Sequence, residues 1–470
     1  MKKIILLFDF CILTFALSAQ SISAKLATAF KQFETDEQLK HAISSLYVIN
    51  AKTGEIVFDK NSQIGLAGAS TQKIITASTA FELLGKDYKY KTELGYDGKI
   101  ENETLKGNLY IIGSGDPTLG SWRYFSTTDT FFMNEILSKI RYYKIKKVTR
   151  NLIIDDSRFN LNSTPDGWIW QDIGNYYGAG SWGFNWHENQ FDFIFKSGKK
   201  IDDSVKIIKK EPDPQLVTII NELKSEKRGS GDNAYAYISP FSQIGLLQGT
   251  IPVDEDNFRI SAALPDPLHC FSESFKKEMK KNDIGIEGDL FSNLDYKYIN
   301  EKPSYQQTSI YTHYSPTLDS IIYWFLKKSI NLYGEALVKT FAYEKQGFGS
   351  TDSGVVIVKN FWKEKGLDEN ELHIVDGSGL SPLNRVTTHA QVEILKYAKT
   401  KDWFPYFYDA LPEYNGMKMK SGTISGVKGF CGYQTSKDGN DYIFSFLVNN
   451  YNGSPSSLVD KMYRVLNVLK

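Results

Sequence analysis

One stretch constrains this chain more than any other: Ser70-Thr71-Gln72-Lys73, running directly into the apolar residues 74–84. A serine and a lysine three residues apart lie on the same face of a helical turn, so the amine can reach the hydroxyl. Ile74, Ala77, Phe81 and Leu84 keep the spacing of one helix face, and Gly85 is the expected stop. Ser70 therefore falls at a helix N-terminus, where unpaired backbone N–H groups and the helix dipole favour a developing oxyanion. The four-residue pattern alone recurs by chance in chains of this length, so its meaning depends on what else the fold brings beside it.

Two short motifs follow in order. Ser329-Ile330-Asn331 sits on an expected loop between helices, and Lys420-Ser421-Gly422-Thr423 on an expected strand. Together, S-x-x-K, S-x-N and K-[ST]-G are what penicillin-recognising serine enzymes need. Ser70 attacks an acyl carbonyl, and the Lys73 amine, kept neutral by its surroundings, takes the hydroxyl proton. Ser329 relays a proton to the leaving amine while the Asn331 amide holds a substrate carbonyl. Lys420 adds positive potential, the Ser421 and Thr423 hydroxyls bind a substrate carboxylate, and Gly422 lets a substrate backbone lie against the strand edge. The backbone N–H groups of Ser70 and Thr423 form the expected oxyanion hole.

The rest of the chain frames these motifs. A helix is expected over 26–39, and strands over 45–50 and 55–58 flank the turn Lys52-Thr53-Gly54. Ser315 as cap and Pro316 in the first turn open an expected helix ending near Lys328; further helices are expected over 332–343 and 355–365, and a short strand over 374–375. Residues 417–421, 429–435 and 442–449 read as strands, the last two joined across Asp438-Gly439, and 457–469 as an amphipathic terminal helix. These elements predict an α/β catalytic domain built from 25–94 and 305–470, its N- and C-terminal strands pairing in one sheet. Residues 95–304, all short strands and turns, read as a mainly-β insertion of one or two nested small domains. It carries an aromatic cluster, Trp168, Trp170, Tyr176, Tyr177, Trp182 and Trp186, whose first expectation is packing and whose alternative is a sugar-stacking surface.

Composition narrows the function classes. Lys+Arg and Asp+Glu both number 55 in 470 residues, which leaves no net field to draw in nucleic acid or an anionic membrane. Lys2 and Lys3, an apolar run to Leu17 and the small residues Ser18 and Ala19 read as an export signal over 1–19, giving a periplasmic location. Its removal takes Cys11 and leaves Cys270 and Cys431, which imply no disulfide framework, although one bridge between them is open. The six histidines are scattered, with no metal-ligand spacing, and neither metal nor cofactor is expected. No G-x-S-x-G is present, so an α/β-hydrolase elbow is absent.

With these motifs in place the chain resembles the class C low-molecular-mass penicillin-binding proteins, the D-alanyl-D-alanine carboxypeptidases and endopeptidases. Besides the catalytic motifs, the resemblance rests on G-S-G-D-P-T-L at 113–119, I-I-D-D-S-R-F at 153–159 and D-G-W-I-W-Q-D at 166–172. L-P-D-P at 264–267, S-I-N-L-Y-G-E-A-L at 329–337 and D-G-S-G-L-S at 376–381 complete the set. It implies a β-lactamase-like transpeptidase domain, an antiparallel sheet flanked by helices, with extra domains in the interval of about 250 residues between Lys73 and Ser329. The implied activity is cleavage of D-alanyl-D-alanine ends or D-alanyl cross-links of peptidoglycan stem peptides, with β-lactams as acylating inhibitors. Asp155 matches a position that, in the family, meets the amine of a diaminopimelate side chain; an ordinary strand-end turn is its other reading. Pro382 stands where such members often carry Arg, and Arg385 is the nearby substitute. Two alternatives stay open: a β-lactamase or D-aminopeptidase-like esterase of the same fold, and a catalytically silent peptidoglycan-binding protein.

Overall fold

The computed structural model describes residues 21–215, 217–301 and 307–470; the expected export signal and Cys11 lie outside them. A six-stranded sheet carries the catalytic half. It contains β1 (Ile43–Asn50), β2 (Ile56–Lys60), β3 (Glu413–Tyr414), β4 (Met417–Ile424), β5 (Val427–Thr435) and β6 (Asp441–Asn449), in the spatial order β2-β1-β6-β5-β4-β3. Every pairing is antiparallel, and β1 joins β6 in unbroken register from Ile43 opposite Asn449 to Asn50 opposite Tyr442. The two ends of the chain thus meet in one sheet, as the strand pattern requires.

Side chains of a strand alternate between faces, and here both faces are covered. Leu46, Val48, Phe444, Phe446 and Phe430 pack with Leu26 and Phe30 of α1 (Ile22–Glu34) and with Leu458 and Met462 of the C-terminal helix Pro455–Leu466. Tyr47, Ile49, Ile443, Leu447 and Cys431 pack on the opposite face, against Ile74, Ala77 and Phe81 of α2 (Lys73–Leu84). Residues 73–81 of α2 are all buried, so this is a helix enclosed on every side. It lies among α3 (Leu318–Lys327), α4 (Asn331–Gln346) and α5 (Thr388–Lys399).

Several boundaries differ from the sequence reading, each for a local reason. Thr317, not Ser315, precedes the first turn of α3; the Ser315 hydroxyl instead accepts the Tyr90 N–H at 2.9 Å, tying two segments together. The helix expected over 26–39 stops at Glu34, and Asp36 caps a separate 3₁₀ turn, Glu37–Leu39, by accepting the Gln38 N–H. The short strand expected over 374–375 pairs two residues earlier, as Leu372–His373 with Arg385–Val386.

A five-stranded sheet joins the inserted region to its flanks: it includes Leu109–Ile112 and Leu152–Asp155 of the insertion, Lys91–Tyr96 across its expected start and Thr308–Tyr314 beyond its expected end. The strands Gln190–Lys196, Ile244–Pro252 and Phe258–Ala263 belong to further small sheets. Helices Asp129–Tyr142 and Pro267–Lys281 close over a common core that includes Phe132, Trp186, Phe193 and Phe271. The second helix opens with Asp266 accepting the His269 N–H and Pro267 in its first turn. Cys270 is buried in this core and Cys431 in that of the catalytic half, both as free thiols. The aromatic cluster divides: Trp168, Trp182 and Trp186 are buried, whereas Trp170 and Tyr176 are exposed.

Candidate active site

Ser70 lies in a 3₁₀ turn, Ala69–Gln72, immediately before α2 rather than within it. The turn is tight. Ala69 has a left-handed φ of +45°, uncommon for a residue with a Cβ, and the Thr71 hydroxyl donates to the Gly68 carbonyl at 2.6 Å. Neighbouring chain presses in from two sides. A Cβ on Gly422 of β4 would stand 2.5 Å from the Gly68 oxygen and 2.9 Å from the Ser70 nitrogen. One on Gly379, itself at φ +80°, would stand 2.1 Å from the Ala69 oxygen. The glycine of K-S-G is therefore needed for the approach of the serine turn, a reason the sequence alone does not show.

Lys73 is wholly buried. Its Nζ lies 2.9 Å from Ser70 Oγ, 2.6 Å from Asn331 Oδ1 and 2.8 Å from the Ser378 carbonyl. Two of these partners are acceptors only. A neutral amine can donate to both and still offer its lone pair to the Ser70 O–H. Burial holds the Lys73 amine well below the usual lysine range, and the nearby Lys420 charge lowers it further against the opposing pull of Asp376 and Glu335. Lys420 is buried too, donating to the Ser421 carbonyl at 2.8 Å, and burial pushes its amine down to about 7.

The S-x-N wall enters from α4. Ser329 carries a left-handed φ of +59° and faces the cavity described below. Asn331 opens α4 with its amide committed at both ends, Oδ1 to Lys73 and Nδ2 to the Tyr177 carbonyl at 2.7 Å. One of the two Nδ2 hydrogens is thus taken by the inserted region's own backbone. Beneath lies a polar floor that the motifs did not reveal. Asp376, wholly buried, accepts N–H groups from Gly379 at 2.8 Å, Ser381 at 2.7 Å, Asn384 at 2.9 Å and Trp168 at 3.0 Å. Glu335 of α4 accepts the Gly377 N–H at 3.0 Å, and burial, followed by the Asp376 charge, pushes its carboxyl up. Both lie in stretches that carry the family resemblance, S-I-N-L-Y-G-E-A-L at 329–337 and D-G-S-G-L-S at 376–381, but the sequence assigns neither acid a role.

Ser70, Ser329, Asn331 and Thr423 open on one cavity of about 830 Å³, walled on the far side by Trp122, Ile169, Tyr176 and Tyr177. Asp155 does not line it. That residue ends a strand and accepts the Ser157 N–H at 2.9 Å. The carboxylates on the cavity wall are Asp172 and Glu188, and Glu188 is engaged by Arg123 at 2.8 Å. Asp172 is half-buried, with its carboxyl raised by desolvation and partly restored by the Tyr177 hydroxyl. Pro382 lines the cavity, but Arg385 does not stand in for an arginine there: its Nη1 donates to the carbonyls of Pro382 and Asn384, at 2.5 and 2.8 Å.

A hydroxyl held against a buried amine, under the edge of an antiparallel sheet backed by an enclosed helix, is the arrangement of the penicillin-recognising serine acyl-transfer enzymes. Residues 26–413 match the D-Ala-D-Ala carboxypeptidase 3 (S13) family, and the chain belongs to it, as a serine peptidase. The match ends before Lys420, whose place in the site comes from β4. The chain is 26% identical over 460 residues to the D-alanyl-D-alanine carboxypeptidase of Actinomadura sp. (strain R39), covering 90% of this chain and 80% of that protein. It is 24% identical over 431 residues to the D-alanyl-D-alanine carboxypeptidase DacB of Haemophilus influenzae, covering 86% and 84%. Penicillin binding protein 4 of Haemophilus influenzae shares the fold, with a TM-score of 0.80 at 21% identity over 94% of this chain and 98% of that one.

Proposed function

We propose that this chain is a serine DD-peptidase that cleaves D-alanyl-D-alanine ends, or D-alanyl cross-links, of peptidoglycan stem peptides through an acyl-enzyme on Ser70. One observation carries the reading. The Lys73 amine meets Ser70 Oγ at 2.9 Å while its two other partners can only accept, so its neutral form is the base for that hydroxyl. Ser70 Oγ attacks the carbonyl of the penultimate D-Ala as its proton passes to Lys73. The oxyanion is received by the N–H groups of Ser70 and Thr423. The proton returns through Ser329 to the leaving nitrogen, the C–N bond breaks, and D-Ala or the crossing amine departs. Water, giving its proton to Lys73, then hydrolyses the ester. Lys420, Ser421 and Thr423 take the substrate carboxylate, and β-lactams acylate the same serine; the Haemophilus relative has been crystallised with a β-lactam.

We assign the catalytic unit to 25–94 and 305–470, and the far wall of the cavity to the insertion at 95–304. That wall holds Asp172, which takes over from Asp155 as the group that meets an ammonium on the substrate side chain. Export to the periplasm fits the 1–19 pattern and the cell-wall substrate. Among the described residues no helix is long and apolar enough to cross a membrane. Fluorescent penicillin tests the proposal: the parent protein is expected to label stably and Ser70→Ala not at all. A folded parent that takes up no label overturns it, and label lost at the rate of penicillin turnover makes the chain a β-lactamase.

A further inference from the structure

The active-site wall that presents Asn331 is gripped by the inserted region through a buried carboxylate that no motif includes. We propose that Glu188 is a positioning residue: through Tyr333 it sets the first turn of α4, and thereby the Asn331–Lys73 contact on which acylation depends. The proposal rests on the peptidase reading of Ser70.

Glu188 is 1% exposed although it carries a carboxylate. Its Oε1 accepts from Ser121 Oγ at 2.7 Å, Arg123 Nε at 2.8 Å and the Tyr333 hydroxyl at 2.9 Å. Its Oε2 accepts from Arg123 Nη2 at 3.2 Å and Gln190 Nε2 at 3.3 Å. All these donors except Tyr333 belong to the inserted region. Tyr333 is wholly buried and lies two residues after Asn331 on α4. The same turn is held a second time, where Asn331 Nδ2 meets the Tyr177 carbonyl at 2.7 Å. The insertion thus fixes both the backbone that carries Asn331 and the direction of its amide. The other end of that amide, Oδ1, receives Lys73 at 2.6 Å.

The backbone under Glu188 is unusual. His187, Glu188 and Asn189 run consecutively at φ +55°, +51° and +52°, left-handed conformations that residues with a Cβ seldom adopt. Asn189 locks them, donating from Nδ2 to the Gly180 carbonyl at 2.8 Å and accepting the Trp186 N–H at 2.9 Å. This geometry aims the carboxylate at Tyr333. Arg123, its ion-pair partner, lies between the rings of Trp122 and Trp324, 5.4 and 5.3 Å from their centroids. Trp122 and Arg123 line the catalytic cavity, so an occupant bearing on them acts on the group that sets Asn331.

The test uses Tyr333→Phe, which keeps the ring and removes the hydroxyl that meets Glu188, Ser121 and Tyr124, and Glu188→Gln, which keeps the shape and deletes the charge. The acylation rate constant and the dissociation constant of the preceding complex are measured separately with a chromogenic β-lactam, per titrated active site and across pH. The expected result is a rate constant about 10- to 100-fold lower in both variants, a dissociation constant within about twofold of the parent, and a displaced acid limb of the rate profile. Variants that lose thermal stability but acylate at the parental rate with the parental pH profile overturn the positioning role alone. If Glu188→Gln fails to fold, Tyr333→Phe decides by the same criteria. A parent that does not acylate overturns the peptidase reading, and this one with it.

Discussion

Two lysines of this chain are buried to the same degree and lead different lives. Lys73 and Lys339 are both wholly buried, both have amines pulled down by desolvation, and both feel the opposing charge of Glu335, which lies near each. Lys339, on α4, donates to the Asn162 and Ser181 carbonyls at 2.7 and 2.8 Å, and its amine is pushed down to about 7. It ties α4 to the inserted region. Lys73 has the Ser378 carbonyl and the Asn331 amide oxygen as comparable partners, but its third is a hydroxyl that opens on the cavity. A depressed amine thus marks a burial site, and only a reactive neighbour within reach of substrate makes it a base.

That contrast breaks or sharpens under substitution. Lys73→Met should lower the acylation rate constant about 10³-fold or more, as loss of a general base does, read with a chromogenic β-lactam. Gly422→Ala should cost about 10²-fold by displacing the serine turn, since a Cβ there meets the Gly68 oxygen at 2.5 Å. Asp172→Asn should reduce cleavage of D-Ala-D-Ala peptides bearing a side-chain amine about tenfold while sparing β-lactam acylation, measured as released D-Ala. Lys339→Met should leave acylation within a few-fold but cost about 2–4 kcal/mol in urea melts, because the buried Ser181 carbonyl and the part-buried Asn162 carbonyl lose their donor. An inactive but fully stable Lys339→Met would dissolve the distinction.

The pH dependence follows from the same lysines. Lys73 accepts a proton only when neutral, so acylation should rise with pH on the acid side and level off well below pH 10.5, the usual lysine value. Stability should move in the same direction. Lys339 and Lys420 titrate near 7 when folded and near 10.5 when unfolded, so between those values the unfolded chain binds more protons and the folded state gains as pH rises. Urea midpoints at about pH 7 and pH 9 check the sign.

Much of the catalytic half was legible in the sequence because its signals are local. Ser70 and Lys73 share one turn, and the alternating faces of β1 and β6 show as runs of apolar residues. What stayed hidden depends on distant pairs. Glu188 and Tyr333 are 145 residues apart, and Asn331 and Tyr177 are 154 apart, so no spacing announces them. Asp155 and Asp172 both sit in motifs of the insertion, and only the packing of that region decides which carboxylate reaches the cavity. The aromatic cluster failed to read as one feature for the same reason: Trp168 donates to buried Asp376 at 3.0 Å, while Tyr176 stands on the cavity rim. Gly422 was legible as a necessity, but its packing against the serine turn was not, since that turn lies some 350 residues earlier in the chain.

Peptide mapping by mass spectrometry after exposure to a penicillin tests the central claim most directly. The account predicts a single stoichiometric penicilloyl adduct on the peptide that contains Ser70, formed by the parent and absent from Ser70→Ala. A folded parent without an adduct, or one whose adduct lies on Ser329 or any other residue, would contradict it.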